Sequence, residues 1–190
     1  MIALEPDMKP VVEAANAKEL LAGLSQQPCD VLIVDIEMPD RSGLDVLQDV
    51  WRQQPAIRVL VLSVYPPSQF AARAIRAGVS GYLTKESAPE ELVQAIRTAA
   101  AGRRHINPAV ADALALAVQT EGNPSAEDVL SPREMQVLRL YASGKTVSEI
   151  AYSIGLSIRT VSTYKSRVLE KLQIANNADL IAYAIRNGLI

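Results

Sequence analysis

The sequence predicts an α/β domain built on a parallel sheet, followed by a smaller all-α domain. Three observations carry this. Over residues 1–118, short apolar runs alternate with stretches of helical period, the order of a βαβ series. At "QTEGNPSAEDV", residues 119–129, Gly, Asn, Pro, Ser and acids follow one another without an apolar period and read as a linker. Across residues 130–190, Ser, Thr and Asn caps alternate with glycines and mark out helices only.

In chain order, "PVVEAA" reads as a first strand and leads to a helix near residues 17–25. "DVLIVDIEMPD", residues 30–40, opens with the apolar run Val31 to Val34, and a run apolar on both faces suits a strand covered by helices on both sides. Asp35 stands where that strand ends. A helix follows from Ser42, with Asp45 three residues later. "IRVLVLS", residues 57–63, is the next strand, followed by a helix to about Ala77 that Gly78 terminates. The short strand "SGYLT" and a helix from Ser87, with Pro89 and Glu90 behind it, complete the series. Trp51 and the Leu and Ile positions of these helices are expected to cover the sheet as core.

Composition narrows the function classes. A chain of 190 residues with 49% hydrophobic content can bury one large or two small cores. No run approaches the ~18 apolar residues of a membrane span, and the start lacks a basic region followed by an apolar stretch, so a soluble, cytosolic protein with no membrane partner is expected. The single Cys29 makes no internal disulfide, and the single His105 makes no zinc site. The net charge of −2 conceals an asymmetry: residues 1–130 hold 11 basic and 17 acidic side chains, residues 131–190 hold 8 and 4. An acidic domain followed by a basic one points to nucleic acid for the second.

The strand ends carry the chemistry of the first domain. Asp35, Ser63 and the pair Thr84-Lys85 close successive strands, and in a right-handed parallel sheet these ends share one edge. A strand-terminal Asp can also simply cap its own turn. A carboxylate, a hydroxyl and an ammonium together suit a carboxylate that accepts a phosphoryl group: Lys85 pairs with the phosphate as a point charge and Ser63 hydrogen-bonds one of its oxygens.

On "DVLIVDIEMPDRSGLDVL", "VLVLS" and "GYLTK", together with the C-terminal block "SPREMQVLRLYASGKTVSEIAYSIGLSIRTVSTYKSRVLEKLQIANNADLIAYAIRNGLI", the chain resembles the NarL/FixJ-type response regulators of two-component signalling, which join a receiver domain to a LuxR-like DNA-binding domain. The resemblance covers nearly the whole chain. It implies a flavodoxin-like receiver with Asp35 as phospho-acceptor, Ser63 as switch hydroxyl, Tyr82 at the aromatic switch position and Lys85 as phosphate partner. It further implies Mg²⁺ held by Asp35 and the backbone carbonyl of Glu37, with Pro39 and Gly43 shaping the loop beyond. A sensor histidine kinase is the implied phosphodonor.

Family members begin with a strand bearing an acidic pair that binds Mg²⁺, in a sheet of order 2-1-3-4-5. This chain starts at "MIALEPDMKP", near the end of the helix that follows that strand, through a genuine shortening or a start codon placed too late. Glu5 and Asp7 precede the first remaining strand and are not expected to reach the site. A weak Mg²⁺ site, impaired phosphorylation and open edges beside "PVVEAA" and "VLIVD" are therefore expected.

The C-terminal block divides into four helices by its caps. Ser131 with Pro132 and Glu134 opens the first and Gly144 ends it; Thr146 with Glu149 opens the second and Gly155 ends it; Ser157 and Asn176 open the third and fourth. A short helix, a Gly turn and a longer helix make a helix-turn-helix. In the third helix, Val161, Tyr164, Val168 and Leu172 form the core stripe. The opposite face carries Ser162, Thr163, Ser166 and Arg167 toward base edges of double-stranded DNA, with Lys145, Thr146, Arg159, Thr160 and Lys165 set to hold phosphates. Relatives often carry Lys where Ser162 and Ser166 stand. The last helix offers Leu180, Ile181, Ala184, Ile185 and Leu189, part of which must pack on its own domain while the rest resembles the family's dimer surface on DNA.

The expected function is a DNA-binding transcriptional regulator without enzymatic activity of its own. Two other readings compete. Asp35-Ile36-Glu37 faintly resembles the haloacid-dehalogenase nucleophile pattern of aspartyl-phosphate enzymes, which wants a second Asp where Glu37 stands. A phosphorylation-independent protein-interaction module with an inert DNA face is the third.

Overall fold

Backbone pairing ties three apolar runs into a parallel sheet: β1 (Val31–Val34), β2 (Arg58–Ser63) and β3 (Gly81–Thr84), in the order β1-β2-β3. Val31 pairs with Arg58 and Ile33 with Leu60; Leu60 pairs with Gly81 and Ser63 with Thr84. The computed structural model describes residues 2–119 and 126–190, which fall into two compact units, residues 1–122 and 123–190.

In the first unit α1 (Ala17–Gln26), α2 (Gly43–Gln53), α3 (Pro67–Ala77), α4 (Pro89–Ala100) and α5 (Pro108–Gln119) alternate with and follow the strands. Strand side chains alternate faces, so two cores form. Leu32, Val34, Val59, Val61 and Tyr82 pack with α1, α2, α3 and α5, whereas Val31, Ile33, Leu60, Leu62 and Leu83 pack with α4. Every strand is therefore apolar on both sides, which is why its sequence shows runs rather than alternation.

Four differences from the sequence reading have physical causes. "PVVEAA" forms no strand: residues 8–14 have no regular structure, because among the described residues no strand lies between them and β1 to share a ladder. Ser42 is the N-cap of α2, yet its buried Oγ finds no partner. Ser87 does not cap α4, whose N-cap is Ala88; the Ser87 N–H donates to the Thr84 carbonyl at 3.0 Å in the turn leaving β3. The helix α5 was not anticipated, although Asn107, which accepts the Val110 N–H at 2.9 Å, and Pro108 mark its start. Gly78 does terminate α3, in the left-handed region at φ 110°.

The second unit consists of α6 (Ala126–Val129), α7 (Pro132–Ala142), α8 (Val147–Ser153), α9 (Ile158–Lys171) and α10 (Asn177–Arg186). Residues 120–125 of the expected linker lie outside the described residues. Its last four residues form α6, of which Ala126 is buried in this core together with Leu130 just beyond it. Ser131–Glu134 and Thr146–Glu149 form capping boxes at α7 and α8, and Ser157 and Asn176 cap α9 and α10 through Thr160 N–H and Asp179 N–H. Glu134 is fully buried; its Oε2 accepts the Ser131 N–H and the Lys171 ammonium, at 2.8 and 2.9 Å, so one carboxylate ties the start of α7 to the end of α9.

Candidate functional site

The three strand ends meet as their order requires. Lys85, just beyond β3, places its ammonium 2.6 Å from Asp35 Oδ2, while the Glu37 N–H donates to Asp35 Oδ1 at 3.0 Å. The Lys85 N–H donates in turn to the Ser63 carbonyl at 2.7 Å, which fixes the β3 end against the β2 end. Gly43 lies so close behind Asp35 that an added Cβ would stand 2.0 Å from the Asp35 carbonyl oxygen, so the loop at 35–43 closes only with glycine there.

Ser63 and Tyr82 lie below this surface, both with no exposed area. The Tyr65 N–H donates to Ser63 Oγ at 3.2 Å, and the Tyr82 hydroxyl donates to the Tyr65 carbonyl at 2.9 Å. Burial pushes the Tyr82 hydroxyl up to about 12, against a bond to Ser63 that favours its ionised form; the charge of Asp35 adds to the rise. Tyr65 was missed in the sequence. It also donates its hydroxyl to Glu37 Oε1 at 3.1 Å and sets its ring edge-on to Phe70, so it connects Glu37, Ser63 and Tyr82. Its only sequence signal is its place two residues past a strand end.

The donor set fits Mg²⁺ poorly. Among the described residues no group of three or more His, Cys, Asp or Glu side chains could hold a metal. Both oxygens of Asp35 are engaged, and the Glu37 carboxylate is turned to Tyr65. Glu5 and Asp7, as expected, do not join the site: Arg97 of α4 holds them at 2.6 and 2.9 Å. A small divalent ion that demands near-octahedral oxygen coordination would have to compete here with Lys85, the Glu37 N–H and the Tyr65 hydroxyl for the carboxylate oxygens of Asp35 and Glu37.

In the second unit α8, the turn at Gly155 and α9 form the expected helix-turn-helix. Val161, Tyr164 and Val168 are buried, which turns the opposite face of α9 outward. Arg159, Thr163 and Ser166 are exposed, and Thr160, Ser162, Lys165 and Arg167 half-buried. Thr163 and Ser166 donate their hydroxyls back to the carbonyls of Arg159 and Ser162 at 3.0 and 3.1 Å, and each hydroxyl retains lone pairs for a further donor. Lys165 departs from its expected outward reach: its ammonium sits 4.8 Å over the Tyr141 ring. The Thr146 hydroxyl is engaged in the α8 capping box, while Lys145 beside it is exposed. Burial divides the α10 stripe. Leu180 and Ala184 are wholly buried in their own unit's core, where α10 packs on α7, so they offer no surface to a partner, while Ile181 and Leu189 are half-buried and Ile185 is 60% exposed.

Comparison with known proteins agrees with this division. The response regulator receiver domain matches residues 1–97, and the bacterial regulatory proteins of the luxR family match residues 128–184. The response regulator GacA of Pseudomonas aeruginosa is 40% identical over 162 residues, 85% of this chain and 76% of that protein. The transcriptional regulatory protein UhpA of Salmonella typhimurium is 37% identical over 180 residues, covering 95% and 86%. Among solved structures, RcsB of Salmonella enterica serovar Typhimurium, bound to a promoter in the presence of a phosphomimetic, superposes with a TM-score of 0.52 at 27% identity over 89% of this chain and 81% of that one.

Proposed function

The chain belongs to the two-component response regulators that join a receiver domain to a LuxR-type DNA-binding domain, and from that premise we propose a division of labour between its two sites. The second unit binds double-stranded DNA through α9 and regulates transcription. One observation carries this: α9 buries Val161, Tyr164 and Val168 and leaves a polar face of small hydroxyls and arginines, of a width the major groove admits. Thr163, Ser162, Ser166 and Arg167 face base edges, and Arg159, Thr160, Lys145 and the α8 start hold phosphates. Lys165 contributes less, since its charge leans on Tyr141. Two chains pair on DNA through Ile181 and Ile185.

The first unit carries Asp35 as phospho-acceptor. In phosphotransfer from a sensor histidine kinase an Asp35 oxygen bonds phosphorus as the P–N bond of the donor phosphohistidine breaks, and Lys85 and Ser63 meet the phosphoryl oxygens. Mg²⁺ would neutralise the crowded anions, but the residues present hold it weakly, so Lys85 is the main counter-charge. Selection of DNA from a random pool by the full chain tests the DNA reading. An enriched inverted repeat supports it; a pool that stays random at moderate salt overturns it.

A further inference from the structure

The first turn of α9 holds a side chain that the polar face of that helix does not explain. Ile158, its first residue, is 56% exposed and stands beside the exposed Arg159, one turn ahead of Ser162. Among the described residues it is the exposed large hydrophobic side chain of α9. A single exposed isoleucine is ordinary elsewhere on a surface. Here it sits at the N-terminal end of the recognition helix, and the N-terminal residues of such a helix meet base edges in the major groove.

The hydroxyls that follow it narrow what this face can read. Ser157 Oγ accepts the Thr160 N–H at 3.0 Å and shares a hydrogen bond with Thr160 Oγ1 at 2.7 Å, so these two hydroxyls are turned to each other. Thr163 and Ser166 give their protons to the carbonyls of Arg159 and Ser162. With those protons committed, the oxygens of Thr163 and Ser166 offer lone pairs to DNA, and these accept from the amino groups of adenine or cytosine. Guanine, which presents two acceptors, falls to an arginine. Thymine presents an acceptor and its 5-methyl group, and the methyl finds its match in Ile158. Laid against a polar edge, Ile158 would strip water from it and return no hydrogen bond; laid against the methyl, both surfaces leave water.

We propose that Ile158 is a further specificity-determining residue, packing on the 5-methyl group of one thymine in each half-site; this rests on DNA binding through α9. At ~1.5 Å per residue Ile158 lies about 6 Å before Ser162, close to two base-pair steps of ~3.4 Å, so that thymine stands at the edge of the stretch faced by Ser162, Thr163 and Ser166.

The test uses the full chain and the DNA sequence it enriches from a random pool. Each thymine is replaced in turn by deoxyuridine, which removes the 5-methyl group and keeps the hydrogen-bonding edge. Fluorescence anisotropy should find one position per half-site, at its edge, where the replacement weakens binding about fourfold, the equivalent of one buried carbon at ~0.8 kcal/mol. In Ile158→Ala the loss at that position should vanish, whereas Ile158→Val, which keeps a branched aliphatic side chain, should retain it. Ile158 is exposed, so both variants should keep the circular dichroism spectrum of the parent. An enriched site without a thymine at that edge, or deoxyuridine losses that are the same in the parent and in Ile158→Ala, overturns the proposal and leaves DNA binding through α9 standing. A pool that stays random at moderate salt overturns both.

Discussion

Arg167 and Lys165 stand two positions apart on α9, yet their surroundings assign them different work. Arg167 lies beside the small hydroxyls of the outward face, so Arg167→Ala should weaken specific DNA binding by about 1–3 kcal/mol while changing binding to unrelated sequence little. Lys165 rests on Tyr141, so Lys165→Ala should lower the stability of the helical unit by about 0.5–1 kcal/mol and flatten the salt dependence by less than one full phosphate contact. Fluorescence anisotropy at several salt concentrations, with a thermal melt of each variant, separates the two. At the other site Tyr82 makes a pH prediction. Its folded value of about 12 lies above its ordinary 10.0, so the neutral form is favoured by folding. That contribution is complete below pH 10 and is lost as pH rises from 10 toward 12. In an absorbance titration at tyrosinate wavelengths one tyrosine should lag behind the rest, and Tyr82→Phe should remove the lagging step.

At the scale of elements, helix ends and strand ends behaved differently. The caps at Ser131, Thr146, Ser157 and Asn176 were legible because a cap is a local bond between residues three apart, and the structure makes each one. Ser42 and Ser87 carry the same signal and make no cap bond, since a buried loop and a competing turn claim them. The α10 stripe shows the limit of periodicity: it identifies an apolar face but not which members a neighbour covers. Burial now separates them. Leu180→Glu should unfold the second unit, whereas Ile185→Glu should leave the circular dichroism spectrum and melting unchanged and abolish cooperative binding to an inverted repeat. An Ile185→Glu variant that still binds cooperatively would place the dimer contact elsewhere.

For the molecule as a whole, the question is whether the first unit can be switched. The Lys85 ammonium meets the Asp35 carboxylate at 2.6 Å, and among the described residues no group of three or more His, Cys, Asp or Glu side chains could hold a metal. Beryllofluoride with Mg²⁺ should therefore be captured weakly at Asp35, without a saturable change in Trp51 fluorescence at millimolar Mg²⁺. A saturable, Mg²⁺-dependent change that disappears in Asp35→Asn would show that the site still operates as a phosphorylation switch.

What the sequence by itself determined is whatever depends on neighbours along the chain: the apolar runs of β1 to β3, the capped helices of the second unit, the helix-turn-helix spacing, and the placing of Asp35, Ser63 and Lys85 at strand ends. Only the tertiary structure decided that "PVVEAA" stays outside the sheet, that Tyr65 links Glu37 to Tyr82, that Lys165 leans on Tyr141 and that Leu180 is core. The reason is common to all four. A strand exists only where another chain segment supplies its hydrogen bonds, and a side chain's partner across space is set by packing between elements, neither of which leaves a period in the sequence.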